Sequence, residues 1–189
     1  KESNMPETAD YSGPFDPQWS PEKLTREALL KLVKAYSDYI YRVDATWYMT
    51  VKNRHGNDEA FACDCHIWEN KLHAYELKLM TEALNIRGDD VVAVMKFMQA
   101  TPWASLDKRH IEIKNNNHAI LTIYECPTLS ALEKEGTGRE KLICQDLTTS
   151  LFTRIARYFN PGMKVSPLKV PPREAYSDCS CQWEFKLGR

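Results

Sequence analysis

The chain has 189 residues, with 25 basic and 26 acidic side chains and six cysteines. Its length predicts a single domain that folds without disulfide bonds. The balanced charge argues against nucleic acid or an anionic membrane as a partner. No apolar run reaches the ~18–20 residues of a membrane span, so we expect a cytoplasmic protein. Its cysteines are then metal ligands, reactive thiols or buried apolar side chains, whereas a secreted protein would pair them as disulfides.

Composition divides the chain into an arm and a domain. Residues 1–19 contain prolines and glycine and lack apolar periodicity, which predicts an extended N-terminal arm. Residues 20–189 form one α+β domain, with a helical half at 20–105 and a sheet-containing half at 106–189. The arm is a candidate docking strap for a homo-oligomer or a larger assembly.

The helical half is predicted to contain three helices. Thr25 caps a first long helix whose apolar residues recur at steps of three and four, as one buried stripe requires. These residues are Leu29, Leu32, Val33, Tyr36, Ile40 and Val43. Gly56 ends this helix, a second helix extends from 57 to about 86, and Asp89 or Asp90 caps a third at 91–99.

The first two helices carry the candidate acids and bases. Asp44 lies in an apolar turn beside Trp47 and Tyr48, and a buried carboxylate there would have a raised pKa suited to general acid–base work. The alternative is that Asp44 faces water. The second helix carries a stripe on one side, made of His66, Glu69, His73 and Glu76. That stripe predicts either a metal or reaction site or a solvated polar face.

A tight turn at Gly56 makes the two helices antiparallel and brings Asp44 level with Trp68. Glu69 is then the best-placed partner for Asp44, and Tyr41 for Glu76. We therefore take Asp44, Glu69, His73 and Glu76 as the candidate catalytic residues.

The sheet-containing half alternates strands and helices. Residues 110–114 and 118–124 predict a hairpin around the turn Asn115–Asn117. Helices follow at 129–135 and 142–158, and two further strands at 163–168 and 182–187. The order ααα-ββ-αα-ββ predicts an α+β fold, in which the helices pack on a small antiparallel sheet made of two hairpins.

Four cysteines in this half are the candidate metal ligands. Cys126 and Cys144 flank an acidic, glycine-containing stretch, and Cys179 and Cys181 precede the last strand. If the hairpins are neighbours, these thiols meet at one end of the sheet and suit zinc, with iron as the alternative metal. A catalytic thiol and ordinary buried cysteines are the other interpretations.

A small-molecule pocket is predicted from aromatic and basic side chains. Trp47, Tyr48, Trp68 and Trp183 supply aromatic walls. Arg139, within a run of glutamates, is either part of a carboxylate–guanidinium network that contacts the ligand or a residue of a solvated loop.

Several of these motifs together resemble a known family. They are Trp47-Tyr48 with Gly56, Trp68, Tyr75-Glu76, Cys126-Pro-Thr through Cys144, Pro171-Pro172, and Cys181 with Trp183 and Phe185. From about Tyr11 to Leu187 the chain resembles L-2-amino-thiazoline-4-carboxylic acid hydrolase-like proteins. Its C-terminal half is similar in layout to 4-vinyl reductase-type ligand-binding domains, some of which hold zinc through cysteines.

The second resemblance is incomplete at one position. Its pattern has another cysteine before the Pro-Pro step, where this chain reads Val165-Ser166-Pro167. A four-cysteine site therefore requires Cys179 as the substitute. The expected function is metal-bearing small-molecule binding, with hydrolysis of a C–N bond in a small heterocyclic or amino-acid-like substrate. The alternative is a non-catalytic ligand-sensing or accessory subunit with a structural zinc.

Overall fold

The computed structural model describes residues 8–175 and 178–188. Helix α1 spans Arg26–His55 and begins at Thr25, whose hydroxyl oxygen accepts a hydrogen bond from the Ala28 amide. Gly56 ends it with φ 95° and ψ 167° and at once begins the next helix. The predicted tight connection between two long helices is therefore confirmed.

The second helical rod has three sections. These are α2 (Asn57–Ile67), a π-helical turn (Trp68–Leu72) and α3 (His73–Ala83). It ends three residues earlier than predicted, where Asn85 adopts a positive φ of 49°. Helix α4 (Val91–Ala100) follows and is capped by Asp90, whose carboxylate accepts from the Ala93 amide.

The remaining elements build the sheet and its cover. Strands β1 (Lys108–Asn115) and β2 (His118–Glu125) form the predicted hairpin, and α5 spans Pro127–Glu135. A second π-helical segment, Lys141–Leu147, leads into α6 (Thr148–Phe159). Strands β3 (Met163–Lys169) and β4 (Cys181–Leu187) complete an antiparallel sheet in the order β1-β2-β4-β3. The predicted α+β fold and its order of elements are confirmed.

The core lies between this sheet and helices α4 and α6. Alternation along β4 points Trp183 and Phe185 inward, and both are 0% exposed. They pair in register with Leu121 and Ala119 of β2, which are equally buried. Phe97 of α4 joins the same cluster.

The apolar stripe of α1 departs from the prediction. It was expected to be buried, but Leu29, Val33, Tyr36, Ile40 and Val43 are between 38% and 55% exposed. The periodicity correctly predicted the helix and its apolar face. It did not predict which face of α1 is buried, because the rest of the chain packs on the neighbouring face, which carries Ser37 and Tyr48.

The described part of the arm lies against the start of α1. The Thr8 amide donates to the Lys23 carbonyl, and the Tyr11 and Trp19 rings stack with centroids 5.2 Å apart. Across the described residues, none of the helices has the length and apolar character needed to cross a membrane.

Candidate functional site

A cavity of about 360 Å³ lies between α1, α2, α5 and the loop after α5. Both its aspartates come from the first two helices, and its arginine comes from the loop. Its lining is Tyr41, Asp44, Ala45, Tyr48, Met49, Asp64, Thr128, Ala131, Leu132, Lys134, Glu135, Arg139 and Ile143. The cavity thus combines mostly apolar walls with a few ionisable groups, as small-molecule sites do.

Asp44 is held in the cavity by Trp68. Because α1 and α2 reverse direction at Gly56, the two residues lie level across the pair, as predicted. The Trp68 indole N–H donates to Asp44 Oδ1 at 3.0 Å. Burial raises the pKa of the Asp44 carboxyl, and this hydrogen bond partly opposes the rise. Asp44 is therefore a half-buried acid beside a tryptophan and does not lie fully in water.

Asp64 is the second carboxylate of the cavity. It lies one helical turn before Trp68 and is 6% exposed. Burial, and then the charge of Asp44, raises the pKa of the Asp64 carboxyl to about 7, while Arg139 and the Trp68 indole oppose the rise. The charge of Asp44 therefore favours the protonated form of the Asp64 carboxyl.

Arg139 forms one wall of the cavity. Its guanidinium carbon lies 4.3 Å from the centroid of the Tyr48 ring, and its Nε donates to Glu135 Oε2 at 2.9 Å. The Lys52 ammonium pairs with the same carboxylate. Arg139 and then Lys52 lower the pKa of the Glu135 carboxyl to about 2. Of the two interpretations of Arg139, the structure therefore contains the carboxylate–guanidinium network.

Tyr41 and Tyr48 complete the polar lining. The Tyr48 hydroxyl donates to Asn57 Oδ1 at 3.1 Å, which ties α1 to the first residue of α2. Burial raises the pKa of both phenols. The Cys126 thiol adds to the rise at Tyr41, while a hydrogen bond with Thr128 opposes it. Tyr41 therefore lies between the cavity and the cysteines.

The other predicted acid–base residues lie outside this cavity. His73 is buried on α3, and its Nε2 has no hydrogen-bond partner among the described residues. Burial, and then the nearby Arg154 charge, lowers the pKa of its imidazole. Burial raises the pKa of the Glu76 carboxyl to about 7, and a hydrogen bond with Trp103 opposes it. Glu69 is half-buried in the π-helical turn and does not line the cavity.

The predicted aromatic walls divide in a similar way. Tyr48 lines the cavity, and Trp68 reaches it through Asp44. Trp47 is half-buried on α1 outside the lining. Trp183 lies in the sheet core, edge-on to Phe152 with centroids 5.1 Å apart. Trp183 therefore supports the fold and does not contact the cavity.

The four cysteines of the second half are half-buried and lie apart from the cavity. Cys126 follows β2 directly, and Cys181 opens β4 in register with Ile123, so both lie at the same end of the sheet. Burial raises the pKa of the Cys181 thiol to about 12, and the Cys126 and Cys179 thiols contribute to the rise. Burial raises the pKa of the Cys144 thiol as well, with contributions from Cys126 and Cys181. We call these four residues the thiol cluster.

The surroundings of the thiol cluster oppose thiolate chemistry. Glu140 and Glu133 also raise the pKa of the Cys144 thiol. Reactive cysteines need an electropositive site that lowers the thiol pKa, so a nucleophilic role is disfavoured here. In residues 8–175 and 178–188, no three His, Cys, Asp or Glu side chains are arranged to hold a metal ion. Zinc, or iron, at the thiol cluster therefore stays a prediction.

Sequence reasoning missed the most important partner of Asp44. Asp64 stands between Cys63 and Cys65 on the second helix, outside the predicted stripe of His66, Glu69, His73 and Glu76. The signal that identifies it is its spacing of four residues before Trp68, because residues so spaced share one face of a helix. Glu135, which pairs with both Arg139 and Lys52, was also missed. It lies in a charged run, and such a run by itself indicates only a solvated loop.

Comparison with known proteins places this site in an uncharacterised group. A family of unknown function (DUF6125) matches residues 22–187, which include every residue of the cavity and of the thiol cluster. No curated protein and no solved structure matches the chain.

Proposed function

The chain belongs to this family of unknown function, and we propose that its cavity binds a small molecule on which Asp44 and Asp64 act as an acid–base pair. The observation that carries the proposal is the pair itself. Two carboxylates, the half-buried Asp44 and the buried Asp64, face one cavity, and the pKa of the Asp64 carboxyl is raised to about 7. Acids whose pKa is raised by burial in a cavity are typical of catalytic acid–base sites.

The dimensions and polarity of the cavity favour a small substrate with a C–N bond to break. About 360 Å³ is near the lower end of the range for ligand sites. A protonated Asp64 can donate a hydrogen bond to a ring nitrogen, and an ionised Asp44 can accept one from water or an amine. The resemblance to thiazoline-carboxylate hydrolase-like proteins supports the same class, a small heterocyclic or amino-acid-like compound.

The proposed step is hydrolysis by addition of water to the carbon of the C–N bond. Asp44 removes a proton from water as the C–O bond forms. Asp64 gives its proton to the nitrogen as the C–N bond breaks. One water is consumed, and exchange of a proton between the two carboxyls through solvent restores the starting state. Tyr48 and Arg139 form the adjacent wall and position the substrate.

The test uses L-2-amino-thiazoline-4-carboxylic acid as the probe and follows ring opening by liquid chromatography. General acid–base catalysis contributes roughly 100- to 10,000-fold, so we predict losses of that order in kcat for Asp44→Asn and Asp64→Asn. The matched control is Glu69→Gln, an acid of the same helical rod that does not line the cavity. It should retain the wild-type rate.

Binding of this compound by calorimetry without turnover would reject the hydrolase and favour the non-catalytic ligand-binding alternative. Neither binding nor turnover would reject this substrate class. A loss of activity in Glu69→Gln equal to that in Asp64→Asn would contradict the assignment of the acid–base pair.

We also propose a structural zinc at the thiol cluster as a second candidate function. The proposal is supported by the positions of Cys126 and Cys181 at one end of the sheet and by the contribution of both thiols to the raised pKa of the Cys144 thiol. A bound divalent cation deprotonates its thiol ligands and pairs with the thiolates. It would therefore lower the free-energy cost of placing these half-buried thiols beside one another and beside acidic side chains. The side chains would need to rotate toward one another to ligate it.

Metal analysis of the purified protein tests this candidate. We predict one zinc per chain, and loss of both zinc and several degrees of melting temperature in Cys144→Ser, because metal binding and folding are coupled. Cys63→Ser, on α2, is the control and should keep both. A Cys144→Ser protein with unchanged metal content and melting temperature would reject the zinc site.

A further inference from the structure

The N-terminal part of α1 presents an apolar face without a partner in the described chain. Its residues are Leu29, Val33, Tyr36, Ile40 and Val43, with Leu30 and Tyr39 at the margins. All seven are between 38% and 67% exposed. We call this set the α1 stripe. Isolated exposed apolar residues are ordinary, but a contiguous row along one helix marks an interaction surface.

The other sides of α1 show that this face is not simply a solvated surface. Charged residues lie on the opposite side, where Lys31 pairs with Glu27 at 2.7 Å and Arg42 pairs with Asp38 at 2.8 Å. A third side, which carries Ser37 and Tyr48, packs into the domain. The helix therefore has one charged side in solvent, one side that packs against the domain, and a third side that is apolar but exposed.

The area of the α1 stripe is close to what a dimer needs. The seven residues are about half exposed on average, so together they form a contiguous apolar patch of several hundred Å², at roughly the 300–600 Å² upper range of a monomer surface. A standard protein interface buries about 800 Å² on each partner. The α1 stripe alone would supply most of that area, and its polar margins would supply the rest.

We propose that two copies of this chain associate through the α1 stripe, with the two α1 helices packed side by side about a twofold axis. The steps between the five central residues are four, three, four and three, which is the heptad spacing of paired helices. Val33 and Ile40 occupy one type of heptad position, and Leu29, Tyr36 and Val43 occupy the other. β-branched residues at the first type favour two-stranded pairs.

A second copy fits this face better than a different protein, because the face is complementary to itself. The five central positions carry no charge that would demand an opposite charge on a partner. A twofold interface places the same patch on both subunits, so a row of evenly spaced apolar side chains can interlock with its own image. This proposal is independent of the acid–base cavity, because none of the seven residues lines it.

The test is the mass of the full chain in solution by light scattering at about 10 μM and about 100 μM, where a stable dimer is populated. We expect twice the chain mass of 21.9 kDa. The double variant Val33→Glu with Ile40→Glu should have the mass of one chain, with a dimer dissociation constant raised at least 100-fold. Lys34→Glu, on the charged side of the same helix, should remain dimeric.

Circular dichroism separates association from folding. Because Val33 and Ile40 are exposed in a single chain, the double variant should keep its helical signal. Loss of that signal would show that the face packs inside the chain and would overturn the proposal. A wild-type monomer at both concentrations would overturn it as well, and so would a monomer that sediments with phosphatidylcholine vesicles, which would assign the face to lipid.

Discussion

At the scale of single residues, only a few polar groups of the cavity stabilise the charged forms of its two acids. Asp44 receives one indole hydrogen bond, and Asp64 feels the opposing charge of Arg139. The Arg139 guanidinium also donates to Glu135, so its positive charge acts on Glu135 as well as on Asp64. Burial therefore raises the pKa of both carboxyls, to about 7 at Asp64, and a pKa near the working pH suits acid–base chemistry.

We predict that Trp68→Phe destabilises the protein by about 1–2 kcal/mol, because it leaves the half-buried Asp44 carboxylate without its donor. The loss should be larger at about pH 8 than at about pH 4, since the charged form of Asp44 needs the hydrogen bond more. The pKa of the Asp44 carboxyl should also rise. Urea denaturation measures the first effect, and carbon-13 NMR titration of the carboxyl group measures the second.

Trp47→Phe is the matched control for this experiment. It removes an indole from the same pair of helices, outside the cavity lining. It should leave the titration of Asp44 unchanged. Equal changes in both variants would show that the indole acts through its bulk and that the Trp68 hydrogen bond does not control the acid.

Part of the site was readable from the sequence at this scale. Asp44, Tyr48, Trp68 and Arg139 were predicted and meet at the cavity, because helix spacing and the tight turn fix where the first two helices face each other. Glu69 was the wrong partner for Asp44. Sequence spacing gave the position of Glu69 along the helix axis but not the side of the helix on which it lies. Glu69 belongs to the π-helical turn that starts at Trp68, where the wider backbone changes which side chains face α1.

At the scale of elements, the two π-helical segments lie at the two candidate sites. Trp68 opens the first, and Cys144 lies within the second, Lys141–Leu147. Such segments cost helical regularity and occur frequently at functional positions. Their presence could not be predicted here, because no proline or glycine marks either segment, and the apolar spacing through both remained consistent with an ordinary helix.

We predict that Gly56→Ala costs about 1–3 kcal/mol of stability and weakens ligand binding in the cavity. With φ 95° and ψ 167°, Gly56 occupies a region that only glycine adopts readily. A Cβ atom there would meet nothing within 4 Å, so the cost comes from backbone conformation alone. Relief of this strain would shift α2 against α1 and separate Asp64 from Asp44. Urea denaturation gives the stability.

Gly136 offers the matched control at the end of α5. Its φ of 68° and ψ of 24° lie in the left-handed region that asparagine tolerates, and its Cβ would also meet nothing. Gly136→Asn should therefore cost less than about 1 kcal/mol. A Gly56→Ala protein as stable as Gly136→Asn would contradict the role assigned to the turn.

At the scale of the whole molecule, the sequence predicted the fold class and the order of its elements. Grouped strands with short turns, such as the one at Asn115–Asn117, indicate hairpins, and hairpins indicate an antiparallel sheet. What the sequence could not show is which apolar face lies inside. The α1 stripe has the periodicity of a core face, but only tertiary packing decides that Ser37 and Tyr48 point to the domain and Ile40 does not.

The balance of buried acids predicts how the stability of the whole molecule depends on pH. Asp64 and Glu76 have folded pKa values of about 7, above their ordinary values of 3.8 and 4.5. Between these limits the folded state binds more protons than the unfolded state, so stability falls as the pH rises. Glu135 has a folded pKa of about 2, below its ordinary value of 4.5, so its contribution is lost as the pH falls.

We therefore predict that the free energy of unfolding is greatest at about pH 4, where these opposing contributions balance, and lower at about pH 8 and about pH 2. Urea denaturation at the three pH values measures it. Asp64→Asn and Glu76→Gln should each reduce the fall between about pH 5 and pH 8, because an uncharged amide removes the cost of ionising a buried acid. Glu135→Gln should reduce the fall toward about pH 2 and leave the alkaline side unchanged. A profile that is flat from about pH 5 to pH 8 in the wild-type protein would show that Asp64 and Glu76 titrate like exposed carboxyls, and the acid–base role of Asp64 would then lose its physical basis.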